Sequence, residues 1–172
     1  MGRFILFFVF LLTSFFVNGQ NISLEQLLVL RSKDFEYVDN YLISKQWLLK
    51  SSKKETDTSY AQITYSPSLI KSETITYITF YKIGSSLNSN RILFQFEDAE
   101  YYKSSNNRIV ALGYKLLSNR IGDNKIVKVY QKRGVIVEFT ALLSDNLFKN
   151  QTLYEIFIAT LRDYYTNLKE EK

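Results

Sequence analysis

Two residue types are missing from this sequence altogether. It has no cysteine and no histidine. Without cysteine there is no disulfide, no thiol nucleophile and no lipobox attachment point. Without histidine, Ser-His-Asp and Cys-His mechanisms lose their base. Both absences together remove the usual nitrogen and sulfur ligands of zinc and copper, and leave haem no common axial ligand except Met1 or a tyrosine. Proline occurs once, at Pro67, and the six glycines are scattered, so no phosphate-cradling loop can be assembled. No cofactor is therefore expected.

Tyrosine and phenylalanine are abundant, at 13 each. With proline so scarce, this composition favours strands over disordered linkers. Lys and Arg number 22 against 17 Asp and Glu, a net charge of +5. That modest excess suits an anionic envelope or an acidic partner and does not argue for nucleic acid.

Arg3 precedes an apolar run, Phe4 to Leu12, which continues through Phe15 to Val17 before the chain turns polar at Asn18. Val17 and Gly19 are small enough to stand three and one positions before a cut. The order matches a secretory signal peptide over residues 1–19, leaving a single domain over 20–172. The run falls short of the roughly 18–20 residues that span a bilayer, and no later stretch would span one after cleavage. Periplasmic or secreted localisation follows as the expectation. Lack of disulfides favours a bacterial envelope, and the Asn21 and Asn150 sequons then carry no meaning.

Ser23 and Gln26 have capping-box spacing ahead of a short helix ending near Arg31. Asp34 caps a second helix with Phe35, Val38, Tyr41 and Leu42 on one face. Strands are expected from Trp47, over 60–65, 73–83 and 91–96, with a polar loop over 51–59. Asp98 caps a further helix closed by Gly113. Strands over 114–120, 125–131 and 135–143 are separated by turns at Gly122-Asp123-Asn124 and Lys132-Arg133-Gly134. The spacing of Leu153, Phe157, Leu161, Tyr164 and Leu168 predicts a long C-terminal amphipathic helix over 150–168. The fold class is α+β: a single twisted antiparallel sheet with helices packed on one face. "Lys45-Gln46-Trp47-Leu48-Leu49" and "Leu112-Gly113-Tyr114-Lys115-Leu116" occupy corresponding places, which suggests duplicated helix–strand halves.

The run Ile22-Ser23-Leu24-Glu25-Gln26-Leu27-Leu28, then Asp34, Val38, Tyr41-Leu42 and Lys45-Gln46-Trp47, resembles the start of small exported Bacteroidota proteins of unassigned function. A mature start at Gln20 is similar to theirs. The helix–loop–helix leading into an antiparallel sheet also resembles, in topology, β-lactamase-inhibitor-like domains. That likeness implies protein binding and supplies no catalytic motif.

Little catalytic chemistry survives. Glu97, Asp98 and Glu100 form the densest acidic group and could serve carboxylate-dependent hydrolysis, but they equally suit a helix start. Ser51 and Lys54 have Ser-x-x-Lys spacing inside a loop-like run, and Asp123-Asn124 suit a hairpin turn better than calcium. For binding, Lys125, Lys128, Lys132 and Arg133 surround Tyr130 on one hairpin. They could meet an acidic protein or an anionic glycan, or could merely guard an edge strand. The expected function is a non-enzymatic binding or accessory module. The alternatives are a small glycosidase-like hydrolase and a periplasmic immunity or inhibitor protein.

Overall fold

The computed structural model describes residues 22–56, 60–68, 75–82, 90–122, 124–143 and 152–168. The signal-peptide segment, 1–19, lies outside them. Helix α1 (Leu24–Arg31) opens on a complete capping box: Gln26 N donates to Ser23 Oγ at 3.3 Å, and Ser23 N donates to Gln26 Oε1 at 2.8 Å. Asp34 caps α2 (Phe35–Ser44) by accepting from Tyr37 N at 2.8 Å. Four strands follow: β1 (Trp47–Lys53), β2 (Ala61–Pro67), β3 (Thr76–Lys82) and β4 (Arg91–Phe96). Helix α3 (Ala99–Ala111) leads into β5 (Lys115–Gly122), β6 (Lys125–Lys132), β7 (Val135–Leu143) and β8 (Thr152–Thr160). The chain closes with a short helical turn, α4 (Leu161–Asp163), continuing as a π-helical turn over Tyr164–Leu168. Among the described residues, no helix is long and apolar enough to cross a membrane.

The eight strands form one antiparallel sheet in the order β1-β2-β3-β4-β8-β7-β6-β5. The α+β reading therefore holds, with one correction. The expected C-terminal helix over 150–168 is instead β8, followed by the two short turns. Leu153, Phe157 and Leu161 recur at helical spacing, but the stretch is dominated by β-branched and aromatic residues. Placed between β4 and β7, it buries side chains on both faces: Ile156 and Ile158 on one, Ala159 on the other. A strand covered on both sides loses the clean two-residue alternation that would have marked it. A smaller difference is that β1 runs through Ser51–Lys53, where a loop was expected.

The helices α1, α2 and α3 lie on one face. Leu27, Leu30, Val38, Leu42 and Ile109 from the helices pack on Ile78, Phe80, Ile92, Phe94, Val137, Phe139, Ile156 and Ile158 from the sheet. Burying such side chains contributes roughly 1.5–3 kcal/mol each before chain entropy opposes it. A second cluster forms on the opposite face, where Tyr164 and Leu161 of the C-terminal turns cover Val127, Val129, Ile136 and Phe157.

The two halves carry the same irregularities at matching positions. Helix α2 is capped at its C-terminus by Lys45, followed by Gln46 with φ of 63°; α3 is capped by Leu112, followed by Gly113 with φ of 80°. Each is the left-handed residue that terminates a helix. The next strand then carries a bulge, between Leu49 and Ser51 in β1 and between Leu116 and Ser118 in β5. Each half is a helix leading into four strands joined in sequence, and the halves meet along β4 and β8.

Candidate functional site

Alternation along the strands decides which side chains face away from the helices. Because Ile78 and Phe80 point into the helix-side core, Tyr77, Thr79 and Tyr81 point to the other face. By the same rule Arg91, Leu93 and Gln95 of β4, Glu155 and Phe157 of β8, and Glu138 and Thr140 of β7 share that face. Among the described residues, only the C-terminal turns lie on it, and they cover the end near β6.

This face is held by hydrogen bonds between strands. Gln95 Nε2 donates to Glu155 Oε1 at 2.8 Å across the β4–β8 seam. The hydroxyls of Thr64 and Thr79 meet at 3.2 Å. Tyr164 donates its hydroxyl to Glu138 Oε2 at 2.6 Å. Thr79 and Thr140 are only 3% and 6% exposed. These short side chains sit low, with Tyr77 and Tyr81 flanking the first and Glu138 and Leu142 the second. Strands β4 and β8 separate the two threonines, with Leu93 and Phe157 between them on the same face.

One end is closed by a buried ion pair. Arg91 Nε and Nη2 donate to the two oxygens of Asp163 at 2.6 and 2.9 Å. Tyr60 donates to Asp163 Oδ1 at 2.8 Å, and the Arg91 guanidinium lies 3.8 Å from the Tyr60 ring centroid and also bonds its hydroxyl. Arg91 and Asp163 are each 7% exposed, so the pair is held by bidentate geometry in a dry setting. Burial, with the bond to Asp163 second, pushes the Tyr60 hydroxyl up to about 12. Tyr81 is raised by burial and by the Glu155 carboxylate, with Arg91 opposing.

The residues singled out in the sequence are distributed otherwise. Tyr130 is 5% exposed, packed edge-on against Phe139 in the helix-side core, and donates to Asn106 Oδ1 of α3 at 2.9 Å. Lys132 bonds the carbonyl of Leu112 at the C-terminus of α3, where a cation complements the helix dipole, and lies over the Tyr114 ring. Arg133 and Gly134, with φ of 47° and 78°, form the two-residue turn between β6 and β7. Lys128 shares the helix side with Tyr130, and Lys125 is exposed on the opposite face. The hairpin's basic residues are thus divided between the two faces of the sheet. Asp98 caps α3 by accepting from Tyr101 N at 2.9 Å, and Glu100 sits in its first turn. Ser51 stands opposite Thr64 in β1, with Lys54 exposed beyond the strand. Asn124, with φ of 59°, occupies the β5–β6 turn, and Asp123 lies outside the described residues.

Among the described residues, no group of three acidic side chains is placed to hold a metal ion. Among the described residues the face carries fixed donors, acceptors and ring faces. No protein-family model, curated protein or solved structure matches this chain.

Proposed function

We propose that the chain is an exported binding or accessory module, periplasmic or secreted and without catalytic activity, that meets its partner through the helix-free face of the sheet. The observation that carries this reading is the pair of rings Tyr77 and Tyr81 on either side of the buried Thr79, with Tyr77 beside the Gln95–Glu155 pair. Tyrosine combines apolar area with a hydroxyl, and neighbours that are already hydrogen-bonded lose little freedom on binding. An immunity or inhibitor protein is a special case of this reading. The test is capture from envelope extract with the mature protein and with a Tyr77→Ala/Tyr81→Ala variant of equal melting temperature. A species held by the first and released by the second supports the reading, and identical capture by both overturns it.

A hydrolase remains the second reading, on one observation. Thr140 stands opposite Glu155 and Glu138 opposite Phe157, so Glu138 and Glu155 are diagonal neighbours. Such positions lie roughly 7–8 Å apart, within the separation of paired carboxylates in inverting glycosidases. Each already accepts a neighbour's hydrogen bond. Glycan cleavage that disappears in Glu155→Gln would establish this reading in place of binding.

A further inference from the structure

Among the described residues the sheet ends at β5, whose outer row of backbone donors and acceptors has no neighbouring strand there. The strand is exposed over almost its whole length. Its charges are all of one sign, Lys115 and Arg120, and the start of β6 adds Lys125. Its apolar residues Leu116, Leu117 and Ile121 are exposed, Ile121 to 79%, with Ile126 exposed beside it.

Register sorts these residues by face. Arg120 stands opposite Val127, which belongs to the helix-free cluster, and Lys115 opposite Gln131, which follows the helix-side Tyr130. Gly122 stands opposite Lys125. Lys115, Arg120 and Lys125 therefore share the helix-free face. Leu116 stands opposite Tyr130 and Ile121 opposite Ile126, so these apolar residues share the helix side. The other edge, β1, is not sorted in this way: Leu48 and Lys53 fall on the same face there.

Basic residues and a bulge are ordinary means of guarding an edge against pairing. Guarding does not account for exposed Leu116, Ile121 and Ile126 on the side opposite the charges. We propose that β5 accepts an extended acidic segment of a protein partner as a ninth strand, pairing along Ser118–Gly122 and continuing past the bulge to Lys115. Carboxylates of that segment face Lys115, Arg120 and Lys125, and its alternate apolar side chains cover Leu116, Ile121 and Ile126. Main-chain hydrogen bonds supply the attachment, and the alternation of acid and apolar residues supplies the selectivity. The β5 edge lies five strands from the Tyr77 and Tyr81 rings of β3, so the two proposals stand or fall independently.

The experiment titrates a labelled ten-residue peptide of alternating Glu and Val against the folded protein at low salt, followed by fluorescence polarisation. Two control peptides replace Glu by Lys, or methylate alternate backbone nitrogens while keeping every side chain. Binding by the acidic peptide should weaken about tenfold or more in Lys115→Glu/Arg120→Glu and in the N-methylated peptide. It should be unchanged in Tyr77→Ala/Tyr81→Ala. Both charge substitutions fall on exposed positions, so an unaltered melting temperature confirms that the fold is intact. Absence of binding, equal binding of the Lys peptide, or indifference to the β5 substitutions or to N-methylation would overturn the proposal and leave β5 a guarded edge. Loss of binding in the tyrosine variant would move the site to the open face and overturn it as well.

Discussion

Arg91, at the start of β4, and Asp163, in the turn after β8, are joined by two parallel hydrogen bonds although 72 positions separate them in the chain. Both are buried, and Tyr60 shares the carboxylate. Removing one partner of such a pair strands the other's charge. Asp163→Ala should therefore destabilise the fold by about 3–5 kcal/mol, and Arg91→Met/Asp163→Leu should recover most of that loss. Denaturant unfolding of the two variants checks both values. A loss below about 1 kcal/mol for the single variant would place the pair in the weak class of exposed ion pairs.

Phe139 and Phe157 test the two clusters separately. Phe139 is fully buried under the helices, whereas Phe157 is partly buried beneath the C-terminal turns. Phe139→Ala should cost about 3–5 kcal/mol, the usual range for a core ring. Phe157→Ala should cost clearly less, without changing the oligomeric state seen by sizing chromatography. The reverse order of melting temperatures would contradict this assignment of the core.

Gln46 and Gly113 should respond in opposite directions to substitution. Both hold left-handed backbone. Gln46→Gly relieves a conformation that costs an L residue roughly 1–2 kcal/mol, while Gly113→Ala imposes it. A Cβ at Gly113 would meet Lys132 Nζ at 3.5 Å, an ordinary contact, so backbone strain accounts for the loss. A rise in melting temperature for the first and a fall for the second are the expected results.

Alkali should unfold the protein over a defined window. Burial is the main cause that raises Tyr60 and Tyr101 to about 12, from an ordinary value of about 10. Between these values the unfolded chain has released protons that the folded chain retains. Stability is full below about pH 10 and falls as pH rises towards 12. Tyrosinate absorbance should show an early group of freely titrating rings, followed by a steep rise coincident with loss of secondary structure. A single smooth titration near pH 10 with the fold intact would contradict the burial of these hydroxyls.

Much of the fold was legible because local chemistry agreed with it. The Ser23–Gln26 box, the caps at Asp34 and Asp98, and the turn at Arg133-Gly134 lie in the structure where their side chains and backbone demands put them. Where the chain is covered on two sides this legibility fails. The pattern of Leu153, Phe157 and Leu161 satisfies a helical period, and only pairing with β4 and β7 makes Thr152–Thr160 a strand. The candidate site was less legible for the same reason. Tyr60, Arg91 and Asp163, or Gln95 and Glu155, are brought together by tertiary structure, and no local spacing announces them. Lys132 and Tyr130 carried a surface signal, yet a helix packs over them, and their polar atoms are used inside the fold.

The β4–β8 seam has a kinetic consequence. Every other strand pair in the sheet joins neighbours in the chain, so six pairings can form by closing short segments. Only the β4–β8 pairs, from Ile92 with Ile158 to Phe96 with Tyr154, wait for distant parts of the chain to find each other. Closing that long loop carries the largest entropic cost of any pairing here. The two meanders should therefore gain protected amides first and join along this seam afterwards, an order that pulse-labelled hydrogen exchange during refolding would display.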